Sequence, residues 1–225
     1  MRFSVVVPLL NEKAQLVALL THLRELESHG NCEIIVVDGG STDGSVEMLQ
    51  QSGLRLVYSA RGRAVQMNAG AVMARGDWLL FLHADTRLAN DALVSLEKNT
   101  ERESVQWGRF DISIEGASWW FPLIAGMINL RSRLSGIATG DQAIFVRRSL
   151  FEASGGFPPQ PLMEDIELSR RLLRKSRPYC LCQKAKTSGR RWQKFGVLRT
   201  VLLMWRLRFD YWRGVSAESL AKRYQ

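Results

Sequence analysis

Three aspartates, Asp38, Asp85 and Asp165, lie in polar segments that could bind and activate a phosphorylated ligand. Asp38 begins the segment DGGSTDG, in which the glycines permit close backbone approach and Ser41 or Asp43 can cap the next helix. The N-terminus of such a helix attracts phosphate. A tight turn between a strand and a capped helix explains the same residues without a ligand, so this segment alone leaves both interpretations open.

Asp85 comes directly after the apolar run Leu79–Leu82, in the segment HADT. An unpaired carboxylate beside a buried strand is costly. A divalent cation would offset that cost, because Mg²⁺ and Mn²⁺ prefer carboxylate oxygen and often bridge to substrate phosphates. The segment therefore predicts a metal site at Asp85, with a cap for a helix at Asn90–Lys98 as the structural alternative.

Asp165 lies where a loop rich in Gly and Pro leads into an acidic helix, GGFPPQPLMEDIELSRR. Glu164, Asp165 and Glu167 would occupy the first helical turn, where acidic residues are ordinary partners of the helix dipole. If this turn faces the same cleft as the other two segments, Asp165 could remove a proton from an attacking hydroxyl group.

A cationic and aromatic group, Arg190, Arg191 and Trp192, follows a strand-like region. Arginine can hold a diphosphate through paired hydrogen bonds, and tryptophan can stack on a ring. Surface charge beside a core tryptophan is the alternative explanation.

The elements that must position these residues alternate through residue 82. Four apolar runs predict strands, at Phe3–Val7, Glu33–Val37, Leu54–Tyr58 and Trp78–Leu82. The segments between them carry apolar residues at helical spacing. This alternation predicts an α/β fold with a mainly parallel central sheet flanked by helices. Ligands bind such sheets at the carboxyl ends of the strands, which is where the polar segments fall.

From about residue 105, strands and helices no longer alternate regularly. We expect a strand at Gln106–Ile114, an aromatic helix at Ser118–Leu134 and a strand at Ala143–Arg147. The sequence has no internal repeat and no low-complexity linker, so we expect a single domain over residues 1–225.

The cysteines and the charge distribution limit the class of protein. Three cysteines without a regular framework predict free thiols in the cytoplasm rather than disulfides. The N-terminal segment predicts a strand rather than a secretory leader, and no apolar run is long enough for a membrane span. The net charge is −3 over residues 1–146 and +12 over residues 147–225, which favours an anionic partner for the C-terminal third.

Residues 196–214 are both basic and apolar and predict an amphipathic helix. Arg199, Arg206 and Arg213 recur every seven residues and form one stripe, a pattern typical of a helix at a membrane interface. Packing of this helix on the sheet or on a second subunit is the alternative. Peripheral contact with an anionic membrane and a homodimer therefore both stay open.

In this order, the segments resemble the inverting glycosyltransferases of family two, which have the GT-A fold. VVVPLLNE resembles the opening strand and loop, IIVVDGGSTDGS the nucleotide-binding segment, LHADT the D-x-D position and MEDIELSRR the catalytic segment. RGRAVQMNAGA, GDQAIFVRR and the Arg-Arg-Trp group resemble more closely a subgroup of small soluble bacterial members. That subgroup is named for radical-SAM, selenium or arsenosugar gene contexts.

The resemblance implies a reaction and a set of site residues. One sugar would pass from a nucleoside-diphosphate sugar to a hydroxyl acceptor, either small or lipid-linked, by an inverting displacement assisted by Mn²⁺ or Mg²⁺. Asp85 would bind the metal, Asp165 would be the base in a catalytic pair with Glu164, and Asp38 would meet the nucleoside base. The substrate-binding residues would be Pro8, Asn11, Glu12, Asp38, Gly40, Ser41, Arg63, Asn68, His83, Ala84, Gly140, Asp141, Arg190, Arg191 and Trp192.

The same resemblance divides the chain by function. Residues 1–104 would form the nucleotide-sugar-binding half, residues 105–195 the acceptor and catalytic half, and residues 196–225 C-terminal helices. Two positions depart from the family pattern. His83 replaces the first carboxylate of D-x-D, although its neutral ring could still hydrogen-bond a ribose hydroxyl. Ser188 stands where polymerising members have the glutamine of Q-x-x-R-W, which favours transfer of a single sugar.

Three other classes fit the sequence less well. A nucleotidyltransferase of similar fold opens with a Gly-rich, Arg-containing phosphate loop, which PLLNE lacks. DGGSTDG is not the G-x-G-x-x-G of a dinucleotide oxidoreductase. A non-enzymatic nucleic-acid binder could use the basic third, but the acidic segments would then have no purpose.

Overall fold

In a computed structural model that describes residues 2–29 and 31–224, an eight-stranded sheet runs through the protein. The strands are β1 (Phe3–Leu9), β2 (Cys32–Asp38), β3 (Arg55–Tyr58), β4 (Trp78–Phe81), β5 (Thr86–Leu88), β6 (Trp107–Glu115), β7 (Phe145–Arg147) and β8 (Tyr179–Ser188). Their order across the sheet is β3-β2-β1-β4-β7-β6-β8-β5.

The part of the sheet formed by the first four strands is parallel. β1 lies between β2 and β4, and β2 pairs in turn with β3. Every residue of β1, β2 and β4 is buried, as continuous apolar strands covered on both faces require. The predicted α/β class and the parallel arrangement of these strands are confirmed.

The remaining strands make the sheet mixed. β7 is antiparallel to both β4 and β6, and β5 is antiparallel to β8, whereas β6 and β8 are parallel. The strands expected at Gln106–Ile114 and Ala143–Arg147 correspond to β6 and β7. β5 was not indicated by the sequence, because its three residues are too few to show a period.

Helices cover both faces of the sheet. In chain order they are α1 (Lys13–His29), α2 (Ser45–Gln51), α3 (Arg63–Met73), α4 (Ala92–Thr100), α5 (Trp120–Ser135), α6 (Arg148–Ala153), α7 (Glu164–Leu173), α8 (Arg190–Phe195), α9 (Val197–Trp212) and α10 (Ala217–Tyr224). Leu16, Leu19 and Leu23 of α1 belong to one hydrophobic core, and Ala64 and Met67 of α3 belong to the other. The predicted flanking and C-terminal helices are therefore present.

A buried polar network fixes α5 to β6. The Arg109 side chain is fully buried, forms an ion pair with Asp111 and donates to Ser132 Oγ at 3.1 Å. The Asn129 amide accepts from Ile112 N at 2.8 Å and donates to Ile112 O at 3.1 Å. Because an unpaired buried charge is strongly destabilising, these partners determine where α5 can lie.

The C-terminal helices pack against the N-terminal turn of α7. Leu207 of α9 and Leu220 of α10 form a small hydrophobic cluster with Met163 and Ile166. Within residues 2–29 and 31–224, no helix combines the length and the apolar character needed to cross a membrane. Cys32, Cys180 and Cys182 are free thiols.

His22 makes the folded state sensitive to acid. It lies on α1, where its Nε2 accepts a hydrogen bond from Leu88 N at 3.1 Å. Burial, and to a smaller extent the charge of Arg87, lower the pKa of His22 from 6.5 to about 4. The contribution of neutral His22 to the stability of the folded state is present above pH 6.5 and is lost as the pH falls through about 4.

We expect acidification from pH 7 to pH 4 to lower the free energy of unfolding of the wild-type protein. The decrease should exceed that of His22→Gln by up to about 3 kcal/mol. Glutamine can accept the same hydrogen bond but does not take up a proton. The measurement is the free energy of unfolding in urea at each pH. Identical pH dependence in the two proteins would show that His22 does not titrate as its surroundings indicate.

Candidate active site

A cavity of about 240 Å³ lies where the end of β4, the end of β8 and the first turn of α7 meet. Residues predicted from separate segments share its wall. Those that line it are Arg63, His83, Asp85, Gly140, Asp141, Glu164, Asp165, Arg191 and Trp192. Asp85 and Asp165 therefore face one space, as the proposed chemistry requires.

The loop after β1 reaches the same region through Glu12. Burial raises the pKa of the Glu12 carboxyl, and the charge of Asp85 raises it further, whereas Arg190 lowers it. Arg190 Nη2 lies 3.6 Å from Glu12 Oε2. Glu12 and Asp85 thus place two interacting carboxylates at this end of the sheet, with Arg190 beside them.

The described residues contain no group of three or more His, Cys, Asp and Glu side chains that could hold a metal ion alone. The half-buried Asp85 carboxylate lines the cavity, and its hydrogen bond from Thr86 Oγ1 is long, at 3.4 Å. Mg²⁺ needs only one or two protein carboxylates when substrate phosphates and water supply its other ligands. Asp85 suits such a shared site, with Glu12 nearby.

The surroundings of the His83 ring favour its neutral form. Burial and the charge of Arg63 lower its pKa well below 6.5, and its buried Nε2 has no hydrogen-bond partner among the described residues. A Cβ atom on Gly140 would lie 2.4 Å from this nitrogen, so glycine allows the close approach. A buried polar atom without a partner is costly, and a ligand hydroxyl in the cavity would satisfy it.

The first turn of α7 presents two carboxylates in different environments. Asp165 Oδ2 accepts a hydrogen bond from Gly140 N at 2.8 Å and is half-buried. Glu164 is 2% exposed and pairs with Arg63 Nη1 at 3.4 Å. Burial and the neighbouring Asp165 raise the pKa of Glu164, while Arg63 lowers it. The geometry leaves Asp165 more accessible and commits Glu164 to the arginine.

Asp141 and two arginines extend the polar wall toward α5 and α9. Asp141 Oδ1 is buried without a partner, and burial raises the pKa of this carboxyl despite Thr139, Arg131 and Arg208. Burial lowers the pKa of Arg131 to about 10, and its Nε has no partner. No sequence pattern indicates Arg131 and Arg208 as site residues, because their position near Asp141 depends on contacts between distant elements.

The C-terminal helix α10 contacts Arg191. The guanidinium carbon of Arg191 lies 3.7 Å from the centroid of the Tyr224 ring, and Nη2 donates to Tyr224 O at 2.6 Å. Tyr224 itself lines the cavity. Arg191 is therefore directed toward the cavity wall, and Tyr224 is a site residue that the sequence did not indicate.

The loops after β1 and β2 form one hydrogen-bonded unit outside the cavity lining. Asp38 is 1% exposed, and its Oδ2 accepts from Gly40 N at 2.8 Å and Ser41 N at 3.1 Å. Asn11 Oδ1 accepts from Thr42 N at 2.8 Å, and Asn11 N donates to Ser41 Oγ at 2.9 Å. Asp38 thus shapes this loop, and its contact with a nucleoside base stays a prediction.

Gln66, which is not among the predicted site residues, lies beneath this unit. It is 4% exposed, and its Nε2 donates to Leu9 O at 2.7 Å and Val37 O at 2.9 Å. It therefore joins the ends of β1 and β2. The available signal was a polar residue within the apolar stripe of α3.

Three residues that are predicted to contact substrate do not line the cavity. The side chain of Pro8 is buried within β1, and Ala84 belongs to the hydrophobic core, so neither side chain is presented to the cavity. Asn68 Nδ2 donates to Phe157 O at 2.8 Å, and Asn68 Oδ1 accepts from Phe157 N at 3.0 Å. These bonds hold the loop before α7, and the contact of Asn68 with substrate stays a prediction.

Residues with left-handed backbone adjoin the predicted site segments. In the described part of the chain, the non-glycine residues with positive φ are Asn11 (53°), Ala143 (47°) and Met163 (65°). Ala143 follows the 3₁₀ turn Gly140–Gln142, and Met163 directly precedes Glu164. Such conformations tend to occur at functional sites, where the surrounding structure holds them.

The sequence model of Glycosyl transferase family 2 matches residues 4–155. The chain belongs to this family. A PGL/p-HBAD biosynthesis glycosyltransferase of Mycobacterium bovis (strain BCG / Pasteur 1173P2) is 31% identical over 166 residues, covering 69% of this chain and 62% of that protein. The uncharacterized glycosyltransferase YfnE of Bacillus subtilis is 35% identical over 109 residues, covering 46% of this chain and 28% of that protein.

Solved structures share the fold of this family 2 chain. S. aureus TarS 1-349 in complex with UDP-GlcNAc has a TM-score of 0.66 at 19% identity, covering 84% of this chain and 58% of that one. The mannosyltransferase PcManGT from Pyrobaculum calidifontis, in complex with GDP-Man and Mn2+, has a TM-score of 0.63 at 20% identity. The match covers 82% of this chain and 56% of that one. The expected GT-A-like fold is confirmed, and the chain spans about six tenths of these proteins' lengths.

If Asn68 positions the loop before α7, its removal should affect folding rather than donor binding. Asn68→Ala leaves the backbone N–H and C=O of Phe157 without their partners, so we expect the free energy of unfolding to fall by about 2 kcal/mol. Urea denaturation measures this loss. The matched control is Gln50→Ala, because the exposed Gln50 amide donates a hydrogen bond to Tyr58 OH. Its loss should lower the free energy of unfolding by less than about 0.5 kcal/mol. Equal losses in the two variants would contradict the role.

Proposed function

We propose that this protein is a glycosyltransferase that moves one sugar from a nucleoside-diphosphate sugar to a hydroxyl acceptor with inversion at the anomeric carbon. The observation that carries the proposal is the shared cavity of Asp85, Asp165, His83 and Arg191, which come from separate segments of the chain. Membership of family 2 supports transfer of a sugar. The UDP-GlcNAc and GDP-Man of the two structural neighbours support a nucleoside-diphosphate sugar as donor.

The donor would lie across the carboxyl ends of β1, β2 and β4. The unit formed by Asn11, Asp38, Gly40 and Ser41 would hold the nucleoside. His83 Nε2, which has no partner within residues 2–29 and 31–224, would form a hydrogen bond with a sugar hydroxyl. Asp85 would hold Mn²⁺ or Mg²⁺, which when bound neutralises charge on the donor diphosphate.

The chemical step is a single in-line displacement. Asp165 would take the proton from the acceptor hydroxyl as its oxygen forms a bond to the anomeric carbon. The bond from that carbon to the diphosphate oxygen breaks on the opposite side, and the nucleoside diphosphate departs with the electron pair. Arg191 and Arg190 would offset its charge. Glu164 would keep Arg63 in place beside Asp165, which fits its burial and ion pair.

The acceptor would bind in the part of the cavity that contains Asp141. Asp141, whose Oδ1 has no partner, would bind an acceptor hydroxyl next to Asp165. The acceptor would be a small molecule or a lipid-linked alcohol, and the protein would act in the cytoplasm or at the inner face of the membrane. Residues 1–104 would form the nucleotide-sugar-binding half, residues 105–195 the acceptor and catalytic half, and residues 196–225 the C-terminal helices. The protein would belong to the subgroup named for radical-SAM, selenium or arsenosugar gene contexts.

The metal assignment predicts the behaviour of Asp85→Ala. This variant should bind UDP-, GDP- or dTDP-linked sugars no more tightly with Mn²⁺ than without it, because the carboxylate that would hold the cation is absent. We expect a loss of at least about tenfold in metal-dependent affinity, measured by titration calorimetry. Asp91→Ala removes an exposed carboxylate outside the cavity and should keep full affinity. Full Mn²⁺ dependence in Asp85→Ala would exclude the assignment.

The base assignment predicts a separation of binding from turnover in Asp165→Asn. Asparagine keeps the shape of the side chain but cannot take up the acceptor proton, so we expect unchanged donor affinity and a loss in kcat of at least about 100-fold. Slow donor hydrolysis, with water in place of the acceptor, supplies the assay through release of nucleoside diphosphate. Wild-type turnover in this variant would overturn the role of Asp165.

A further inference from the structure

Helix α5 exposes one continuous apolar stripe to solvent. Its members recur at intervals of three or four residues, so they share one face of the helix. They are 46–72% exposed and comprise Trp119, Leu123, Met127, Leu130 and Leu134. The opposite face of α5, with Phe121 and Asn129, is buried against the sheet. The stripe is therefore surface that packing of the protein on itself leaves uncovered.

Helix α9 exposes a second apolar stripe of the same kind. Its members are 54–71% exposed and comprise Leu198, Leu202, Trp205, Phe209 and Trp212. Only Thr200 and Leu207 of this helix are buried. The predicted amphipathic helix thus exists, but its apolar face points outward instead of packing on the sheet. Large exposed apolar patches mark surfaces that bind a partner or a membrane.

The two stripes border one cavity. A space of about 430 Å³ lies between α5 and α9, lined from one side by Ile128 and Arg131 and from the other by Val201 and Arg208. Met127 and Trp205, which belong to the stripes, also line it. Asp141 and Trp192 line both this cavity and the candidate active site, so the two spaces adjoin.

The charges around the stripes are almost all positive. Arg199, Arg206 and Arg213 flank the apolar stripe of α9 along its length and are exposed. Residues 117–135, which include all of α5, contain no acidic residue. The only acid on α9 is Asp210, and it is paired with Arg223 at 2.8 Å and with Arg206 at 3.9 Å. This surface is complementary to an anionic partner.

We propose that the α5–α9 face, defined by these two stripes and the arginines beside them, docks on an anionic phospholipid bilayer. The apolar stripes would enter the boundary between headgroups and acyl chains, and tryptophans favour that depth. The arginines would meet lipid phosphates. The cavity between the stripes would then open toward the lipid. Docking itself does not depend on the proposed function, and only its purpose, delivery of a lipid-linked acceptor, rests on it.

Charge argues against a second copy of the chain as the occupant. A two-fold dimer through this face would bring the stripe of Arg199, Arg206 and Arg213 against cations of the partner. Asp210 is already neutralised, so no acid on these helices could pair with them. Burial of like charges without partners is unfavourable.

The test is sedimentation of the full protein with vesicles of phosphatidylcholine alone or of phosphatidylcholine mixed with phosphatidylglycerol. We expect binding to the mixed vesicles only, weakening as salt is added. The variant Leu202→Glu/Trp205→Glu should bind at least about tenfold more weakly, because it places two carboxylates in the stripe. Its matched control is Val17→Glu/Val72→Glu, which adds the same charges at exposed positions on α1 and α3 and should lose much less.

Circular dichroism and urea denaturation verify that both double variants fold, and calorimetry measures donor binding separately. Absence of binding to the mixed vesicles, or equal losses in the two variants, would overturn the proposal. So would a dimer in light scattering that Leu202→Glu/Trp205→Glu dissociates. Vesicle binding by a protein that binds no nucleotide sugar would uphold docking and refute the proposed function, which separates the two.

Discussion

The pair of hydrogen bonds between Asn68 and Phe157 joins the two parts of the molecule that must cooperate. Asn68 lies on α3, which packs on the parallel strands, and Phe157 lies in the loop that leads to α7. One turn earlier on α3, Arg63 pairs with Glu164, and Gln66 joins the ends of β1 and β2. A single helix thus sets the position of the first turn of α7 relative to the loops after β1 and β2.

The sequence predicts the elements that a short contiguous segment is enough to identify. β1, β2 and β4 are continuous apolar runs, so the pattern alone predicts them. Asp85 and Asp165 stand at the ends of regular elements, where the pattern also fits helix capping, and the role of Asp165 as a base depends on the family resemblance. Gln66, Arg131, Arg208 and Tyr224 could not be found from the pattern, because each acquires its place through contacts between elements far apart in the chain. The resemblance indicates Asn68 as a substrate-binding residue, and the structure adds its two hydrogen bonds to the backbone of Phe157.

Electrostatics organise the site as an alternation of acids and arginines. Arg63 lies beside Glu164, Arg190 beside Glu12, and Arg131 and Arg208 near Asp141. Such an arrangement keeps buried charges tolerable while leaving individual atoms unsatisfied, among them Asp141 Oδ1, Arg131 Nε and His83 Nε2. These three residues line the two adjoining cavities, where ligands would supply the missing hydrogen bonds.

Ala143 and Met163 place left-handed backbone on both sides of the contact between Gly140 and Asp165. An L-residue held in this conformation costs about 1–2 kcal/mol relative to the right-handed form. That free energy is regained when the segment opens, so these two turns need less free energy to unfold locally than the core strands do. The backbone amides of these two turns would therefore exchange with solvent before those of β1 and β2.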